Sequence, residues 1–126
     1  MRVLVVEDNP DDQYLALRAL RRNVEGVQVE VAADGLDALQ AIARSPVTFD
    51  FILLDINMPR MSGLEFLATF GTGNDSPPPV VVMLTSSDQQ SDRDEASRYP
   101  VVRGFCLKPV NRRVLESIGS LVDMTS

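Results

Sequence analysis

The chain has 126 residues, a formal net charge of −6 and 44% hydrophobic residues, which is enough for one core, so we expect a single domain over residues 1–126. The acidic balance argues against direct binding to nucleic acid, because such binding needs clustered Lys and Arg. One cysteine, Cys106, allows no internal disulfide, and no apolar run approaches a membrane span, so we expect a cytoplasmic protein that contacts no membrane.

Five segments have the residue pattern of β-strands. Val3–Val6, Phe51–Leu54 and Val80–Leu84 are continuous apolar runs, typical of parallel strands covered on both faces. Val27–Val31 alternates apolar and polar residues, which predicts a more exposed strand. The last strand is predicted over Val102–Leu107.

Helices are predicted after each strand, because acidic, capping and turn residues mark their starts. They begin near Asp11, Gly35, Ser62, Gln89 and Asn111. In the first helix, Asp11 and Asp12 favour the N-terminus through the helix dipole. Its inward stripe is predicted at Leu17, Leu20 and Val24.

The third and fourth helices differ in their signals. Ser62 followed by Glu65 forms a capping box, which predicts a well-defined helix start. Residues 89–98 contain one apolar residue, Ala96, so we expect a short, marginal helix there.

Strands that alternate with helices predict βαβ units with right-handed crossovers. We therefore expect a flavodoxin-like α/β fold, a three-layer sandwich with five helices around a five-stranded parallel sheet in the order 2-1-3-4-5.

In this strand order, polar residues from four strands meet at the carboxyl edge of the sheet. Glu7 and Asp8 follow strand 1, Asp55 ends strand 3, Thr85 ends strand 4 and Lys108 follows strand 5. Ligands of open α/β sheets bind at this edge, beside the switch point of the strand order. The sequence therefore predicts one site built from distant residues.

Three carboxylates held close together repel one another unless they take up a proton or share a cation. Hard oxygen ligands beside a substrate phosphate suit Mg²⁺, which we predict as the cofactor. Asp55 is then a candidate nucleophile that attacks phosphorus and forms an acyl phosphate. Lys108 would neutralise the phosphoryl oxygens, and the Thr85 hydroxyl would donate a hydrogen bond to one of them.

The chain resembles the receiver domains of two-component response regulators, of the chemotaxis-regulator type. The resemblance covers essentially the whole chain and depends on four motifs in matching order and spacing: Glu7-Asp8, Asp55-Ile56-Asn57-Met58-Pro59 with Gly63, Thr85, and Lys108-Pro109. Residues 4–12 and 58–65 are also similar to the stand-alone regulators associated with bacterial phytochromes.

This resemblance implies that Asp55 accepts a phosphoryl group from a cognate sensor histidine kinase. It implies that Asp8, Asp55 and the backbone carbonyl of Asn57 bind Mg²⁺ directly, with Glu7 acting through water. The chain would then be no enzyme beyond its own phosphotransfer and autodephosphorylation.

The resemblance also implies two switch residues. Thr85 would move toward the phosphoryl group, and Phe105, three residues before Lys108, would change rotamer with it. Phe105 lacks the hydroxyl of the tyrosine that is commoner at its position. The signal would leave through the face of helix 4, strand 5 and helix 5 to a downstream protein, with the chain a monomer or a phosphorylation-linked dimer.

Three other functions are compatible with parts of the pattern. A phosphohydrolase of the haloacid dehalogenase type also uses a strand-end Asp and Mg²⁺, but its second acid is Asn57 here. A flavodoxin shares the topology, but Glu7 and Asp8 would repel its phosphate. A pseudo-receiver scaffold would need no intact acidic site.

Overall fold

The computed structural model describes residues 1–45, 48–56, 58, 60–70, 80–85, 90–108 and 110–116. The strands are β1 (Arg2–Val6), β2 (Gln28–Ala32), β3 (Phe51–Asp55), β4 (Val80–Thr85) and β5 (Val102–Leu107). The helices are α1 (Pro10–Asn23), α2 (Gly35–Arg44), α3 (Gly63–Phe70), α4 (Gln90–Ala96) and α5, described over residues 112–116.

All strand pairs are parallel, and the sheet order is β2-β1-β3-β4-β5, which confirms the predicted flavodoxin-like fold. Helices cover both faces of the sheet. The α1-side core contains Leu20, Leu53, Val82 and Leu115, and the α2-side core contains Ala38, Leu54, Phe66, Met83 and Ala96. Every residue of β3 and β4 is buried, as expected for central strands between two layers.

Helix α1 starts as predicted but buries a different stripe. The Asn9 side chain accepts hydrogen bonds from the backbone amides of Asp11 and Asp12, which caps the helix. Leu20 is buried beside Ala16 and Ala19, whereas Leu17 is only half-buried, so the stripe predicted through Leu17 is wrong at that position.

The structure confirms the capping box predicted for the third helix and the short fourth helix. In the capping box of α3, the Ser62 amide donates to Glu65 Oε1 and the Glu65 amide donates to Ser62 Oγ, at 3.1 and 3.2 Å. Helix α4 has only 7 residues, and among its described side chains Ala96 alone is buried. No helix in the described ranges combines the length and apolarity needed to cross a bilayer.

Strand β5 contains a bulge beside β4. Val81 pairs with Val102 but Val82 pairs with Gly104, so Arg103 is an extra residue in β5. The bulge lets Val102 and Phe105 both pack against the α2-side core, although they are three residues apart. Cys106 packs against the α1-side core, and burial raises the pKa of its thiol, which disfavours the reactive thiolate.

Candidate functional site

The predicted acidic residues meet at the carboxyl ends of β1 and β3. Glu7 and Asp8 follow β1, and Asp55 is the last residue of β3. Because Val6 pairs with Leu54, the next residues of the two strands lie side by side. One carboxylate oxygen from each of the three acids lies within 4.8 Å of the other two.

The three acids differ in exposure. Glu7 and Asp55 have 1% and 4% of their surface exposed, whereas Asp8 is exposed. Two carboxylates therefore line the floor of the site, and the third lies at its solvent side. A buried carboxylate is costly unless a cation or hydrogen-bond donors compensate its charge.

Lys108 is the cation in this site. Its Nζ lies 2.6 Å from Glu7 Oε1, 3.0 Å from Asp55 Oδ2 and 3.5 Å from Asp12 Oδ2. The Lys108 amide donates a hydrogen bond to the Thr85 carbonyl at 3.0 Å, which fixes the lysine backbone at the end of the sheet. The ammonium group is thus held between the two buried carboxylates.

Burial and mutual contact shift the pKa values of Glu7 and Lys108. Burial raises the pKa of Glu7 to about 7, aided by the charge of Asp55 and opposed by Lys108 and the Asn9 amide. Burial alone would lower the pKa of Lys108, but its bonds to Glu7 and Asp55 outweigh this and raise it. The lysine is therefore charged at neutral pH, whereas Glu7 holds a proton more readily than an ordinary glutamate.

The donor set fits a hard divalent cation. Three carboxylates offer oxygen ligands on one side of the site, with Asp8 open to solvent for metal-bound water. Glu7 Oε1 is buried, and the Lys108 ammonium that lies 2.6 Å from it is shared with Asp55. One lysine therefore compensates the acids incompletely, and a cation would complete the compensation.

The remaining predicted residues lie around this centre. The Thr85 side chain is buried at the end of β4, and its hydroxyl donates to the Cys106 carbonyl at 3.4 Å, toward β5. Phe105 is half-buried, and the Arg93 guanidinium of α4 lies 5.2 Å from its ring centroid. Asn57 lies outside the described residues.

Sequence reasoning missed three neighbours of the site. Asp12, assigned above only to the helix start, also contacts Lys108. The Gln13 Nε2 donates to the Glu7 carbonyl at 2.6 Å, and the Asn9 amide donates to Glu7 Oε2 at 3.1 Å. The first turn of α1 lies over the end of β1. Helix periodicity counted from the N-cap could therefore have placed Asp12 and Gln13 on the side of the helix that faces the site.

Comparisons with known proteins identify the family of this chain. The family model of the response regulator receiver domain matches residues 3–118. The bacteriophytochrome response regulator AtBRR is similar with a TM-score of 0.83 and 32% identity, over 97% of this chain and 91% of that one. The receiver domain of the histidine kinase PA1611 from Pseudomonas aeruginosa PAO1, solved with magnesium in its active site cleft, has a TM-score of 0.81 and 26% identity, over 97% of each chain.

A curated relative matches a shorter segment. The response regulator MprA of Mycobacterium leprae (strain TN) is 40% identical over 80 residues, which is 61% of this chain and 32% of that protein. The chain thus spans about a third of the length of the curated relatives it matches.

The family match separates this chain from the flavodoxins and the dehalogenase-type phosphohydrolases considered above. Receiver domains bind Mg²⁺ in their active site and partner with sensor histidine kinases. The described structure has an acidic cluster of Glu7, Asp8 and Asp55. The chain therefore belongs to the response regulator receiver domain family, the phosphorylation-dependent switches of two-component signalling.

Proposed function

We propose that this chain accepts a phosphoryl group on Asp55 from a cognate sensor histidine kinase, with Mg²⁺ as cofactor. The observation that carries the proposal is the convergence of three carboxylates within 4.8 Å, with the Lys108 ammonium 3.0 Å from Asp55. This arrangement combines an acceptor oxygen, a set of metal ligands and a fixed positive charge.

In the proposed site, Asp8 and Asp55 would hold Mg²⁺ with the backbone carbonyl of Asn57, as the family resemblance implies, and Glu7 would act through water. The cation would supply positive charge that neutralises the phosphoryl oxygens. Glu7 and Lys108 orient each other on the floor of the site, and Asp8 meets the incoming group from the solvent side.

In the transfer step, an Asp55 carboxylate oxygen attacks the phosphorus of a phosphohistidine. The P–N bond breaks, its electron pair stays on the imidazole nitrogen, and an acyl phosphate forms on Asp55. Lys108 then exchanges its contact with Asp55 Oδ2 for a phosphoryl oxygen, while the Thr85 hydroxyl turns from the Cys106 carbonyl to another phosphoryl oxygen.

The proposal extends to the signal that follows. Movement of Thr85 vacates space beside β5, and Phe105 changes rotamer into it, which alters the face formed by α4, β5 and α5 for a downstream protein. The chain acts as a monomer or a phosphorylation-linked dimer in the cytoplasm, and it catalyses only its own phosphotransfer and autodephosphorylation.

Acetyl phosphate tests the acceptor directly. With Mg²⁺ present, intact-mass spectrometry should show one added phosphoryl group on the wild type and none on Asp55→Asn, which keeps the side-chain shape but removes the nucleophile. Chelation of Mg²⁺ should suppress the modification of the wild type. The matched control is Asp50→Asn, an exposed aspartate just before the other end of β3, which should be modified like the wild type. Modification that persists in Asp55→Asn would place the acceptor elsewhere.

A further inference from the structure

The loop between β3 and α3 contains a residue in an unusual backbone conformation. Arg60 has φ 61°, and among the residues that the structure describes it is the one non-glycine residue with positive φ. Arginine gains nothing intrinsic from this conformation, so contacts of the folded protein must hold it there.

The contacts of Arg60 are with the start of α2. Its Nε donates to Asp34 Oδ2 at 2.6 Å, and an Nη donates to Asp37 Oδ1 at 3.1 Å. Asp34 is 2% exposed and also caps α2 by accepting from the Asp37 amide. Burial opposes its ionisation, but the hydrogen bonds from Asp37 and Arg60 outweigh this and lower the pKa of Asp34. This ion pair is therefore unlike an ordinary surface pair, because one partner is buried and hydrogen-bonded.

The same loop is confined by two glycines. The Gly35 amide of α2 donates to the Met61 carbonyl at 2.9 Å, and a Cβ at Gly35 would lie 2.7 Å from Met61 Cγ. The Gly63 amide donates to the Ile56 carbonyl at 2.8 Å, and a Cβ at Gly63 would overlap the Asp55 carbonyl oxygen. The described residues at the end of this loop thus lie in close contact with the start of α2 and with the backbone of Asp55.

We propose that Arg60 is a positioning residue for the phosphoryl-acceptor site. By binding Asp34 and Asp37 it holds the β3–α3 loop against α2, and the loop, closed onto Asp55 through Gly63, holds the acceptor backbone in register with Glu7 and Asp8. The inference rests on the proposed function, because it concerns the same carboxylates, and it adds a contact from α2 that reaches none of the reacting atoms.

Two measurements on Arg60→Ala test this role. Titration calorimetry with Mg²⁺ should show affinity about 3- to 10-fold weaker than in the wild type, and the initial rate of modification by acetyl phosphate at fixed subsaturating Mg²⁺ should fall similarly. The matched control is Arg44→Ala, which breaks the Arg44–Glu30 ion pair, 3.7 Å, at the other end of α2. This control should keep wild-type Mg²⁺ affinity. A merely structural role would lower the melting temperature of Arg60→Ala and leave the Mg²⁺ affinity of the folded protein unchanged.

Two further variants separate the ion pair from backbone strain. Arg60→Gly relieves the positive φ, so it should melt above Arg60→Ala but lose Mg²⁺ affinity equally. In an Asp34→Asn background, which keeps the capping oxygen, Arg60→Ala should cost less than half of its effect in the wild type. Wild-type Mg²⁺ affinity in Arg60→Gly, or an undiminished effect in the Asp34→Asn background, would overturn the role of the ion pair.

The same data distinguish this inference from the proposed function. If the wild type neither binds Mg²⁺ nor takes up a phosphoryl group, the proposed function fails. If the wild type does both and Arg60→Ala equals it in affinity and rate, only the role of Arg60 fails.

Discussion

The acceptor site and the α4–β5 edge are built in contrasting ways. At the acceptor site, β3 is buried along its whole length, and the charged groups Glu7 and Asp55 are 1% and 4% exposed. At the edge, no residue of β5 is fully buried, and Leu107 is 55% exposed. Helix α4 packs through little more than Ala96.

This contrast separates chemistry from response. Groups that must meet within hydrogen-bonding distance are placed by the most closely packed strands, where displacement is costly. The α4–β5 edge, where we propose that the signal leaves, has few buried side chains to oppose a change of conformation, and such regions open at low free energy. The described structure therefore combines a closely packed carboxylate site with a loosely packed α4–β5 edge.

The largest expected difference between the two regions is in core packing. Leu53→Ala in β3, where the leucine is fully buried, should lower the free energy of unfolding by about 3 kcal/mol. The same substitution at the exposed Leu107 of β5 should change it by no more than about 0.5 kcal/mol. Urea unfolding followed by circular dichroism measures both, and equal losses would contradict the contrast.

The next effect is the pH dependence of the acceptor site without metal. Burial raises the pKa of Glu7 from its ordinary 4.5 to about 7, so the folded chain binds more protons than the unfolded chain between these values. Stability from this group is complete below about pH 4.5 and is lost as the pH rises through 7. Between pH 5 and 8 in a chelator, the free energy of unfolding should fall by about 2–3 kcal/mol.

Two controls assign this slope to Glu7. Glu7→Gln cannot ionise, so its stability should vary much less over the same range. Saturating Mg²⁺ should also flatten the slope of the wild type, because a nearby cation favours the ionised carboxylate. An equally steep slope in Glu7→Gln, measured by urea unfolding at each pH, would assign the pH dependence to another group.

The smallest effect is expected at the α4–β5 edge. Arg93→Ala removes the cation–π contact with Phe105 and should lower the free energy of unfolding by about 0.5–1 kcal/mol. Mg²⁺ affinity should stay at the wild-type value, since the acidic cluster found among the described residues comes from the ends of β1 and β3 and not from α4. Arg98→Ala, in the turn after α4, is the matched control. A weaker Mg²⁺ affinity in Arg93→Ala alone would show that the two regions are energetically coupled before phosphorylation.

Local pattern was enough to predict most of the fold. Apolar runs identify β3 and β4 because both faces of a central strand are covered. The capping box of Ser62 and Glu65 is predictable because its two residues are only three positions apart in the sequence. The stripe of α1 was mispredicted because the pattern weighted Leu17 above the small residues Ala16 and Ala19. Alanine allows a helix to approach a sheet closely, which hydrophobicity alone does not indicate.

Sequence alone predicted the site residues that lie at strand ends, but not the contacts made by the loop after β3. Parallel strands bring Glu7, Asp8, Asp55 and Lys108 to one edge, so topology alone places them together. The contact between Arg60 and Asp34 depends instead on a loop conformation with positive φ, which an arginine does not indicate in advance.

The extra residue in β5 has a consequence for which side chains face each layer of the core. Side chains alternate along a regular strand, so a straightened β5 with Val102 in place would send Phe105 to the α1-side core and Cys106 to the α2-side core. The extra residue Arg103 therefore places the Phe105 ring on the α2 side of the sheet and the Cys106 thiol on the α1 side. A single extra residue in β5 thus determines which side of the sheet each of these two side chains contacts.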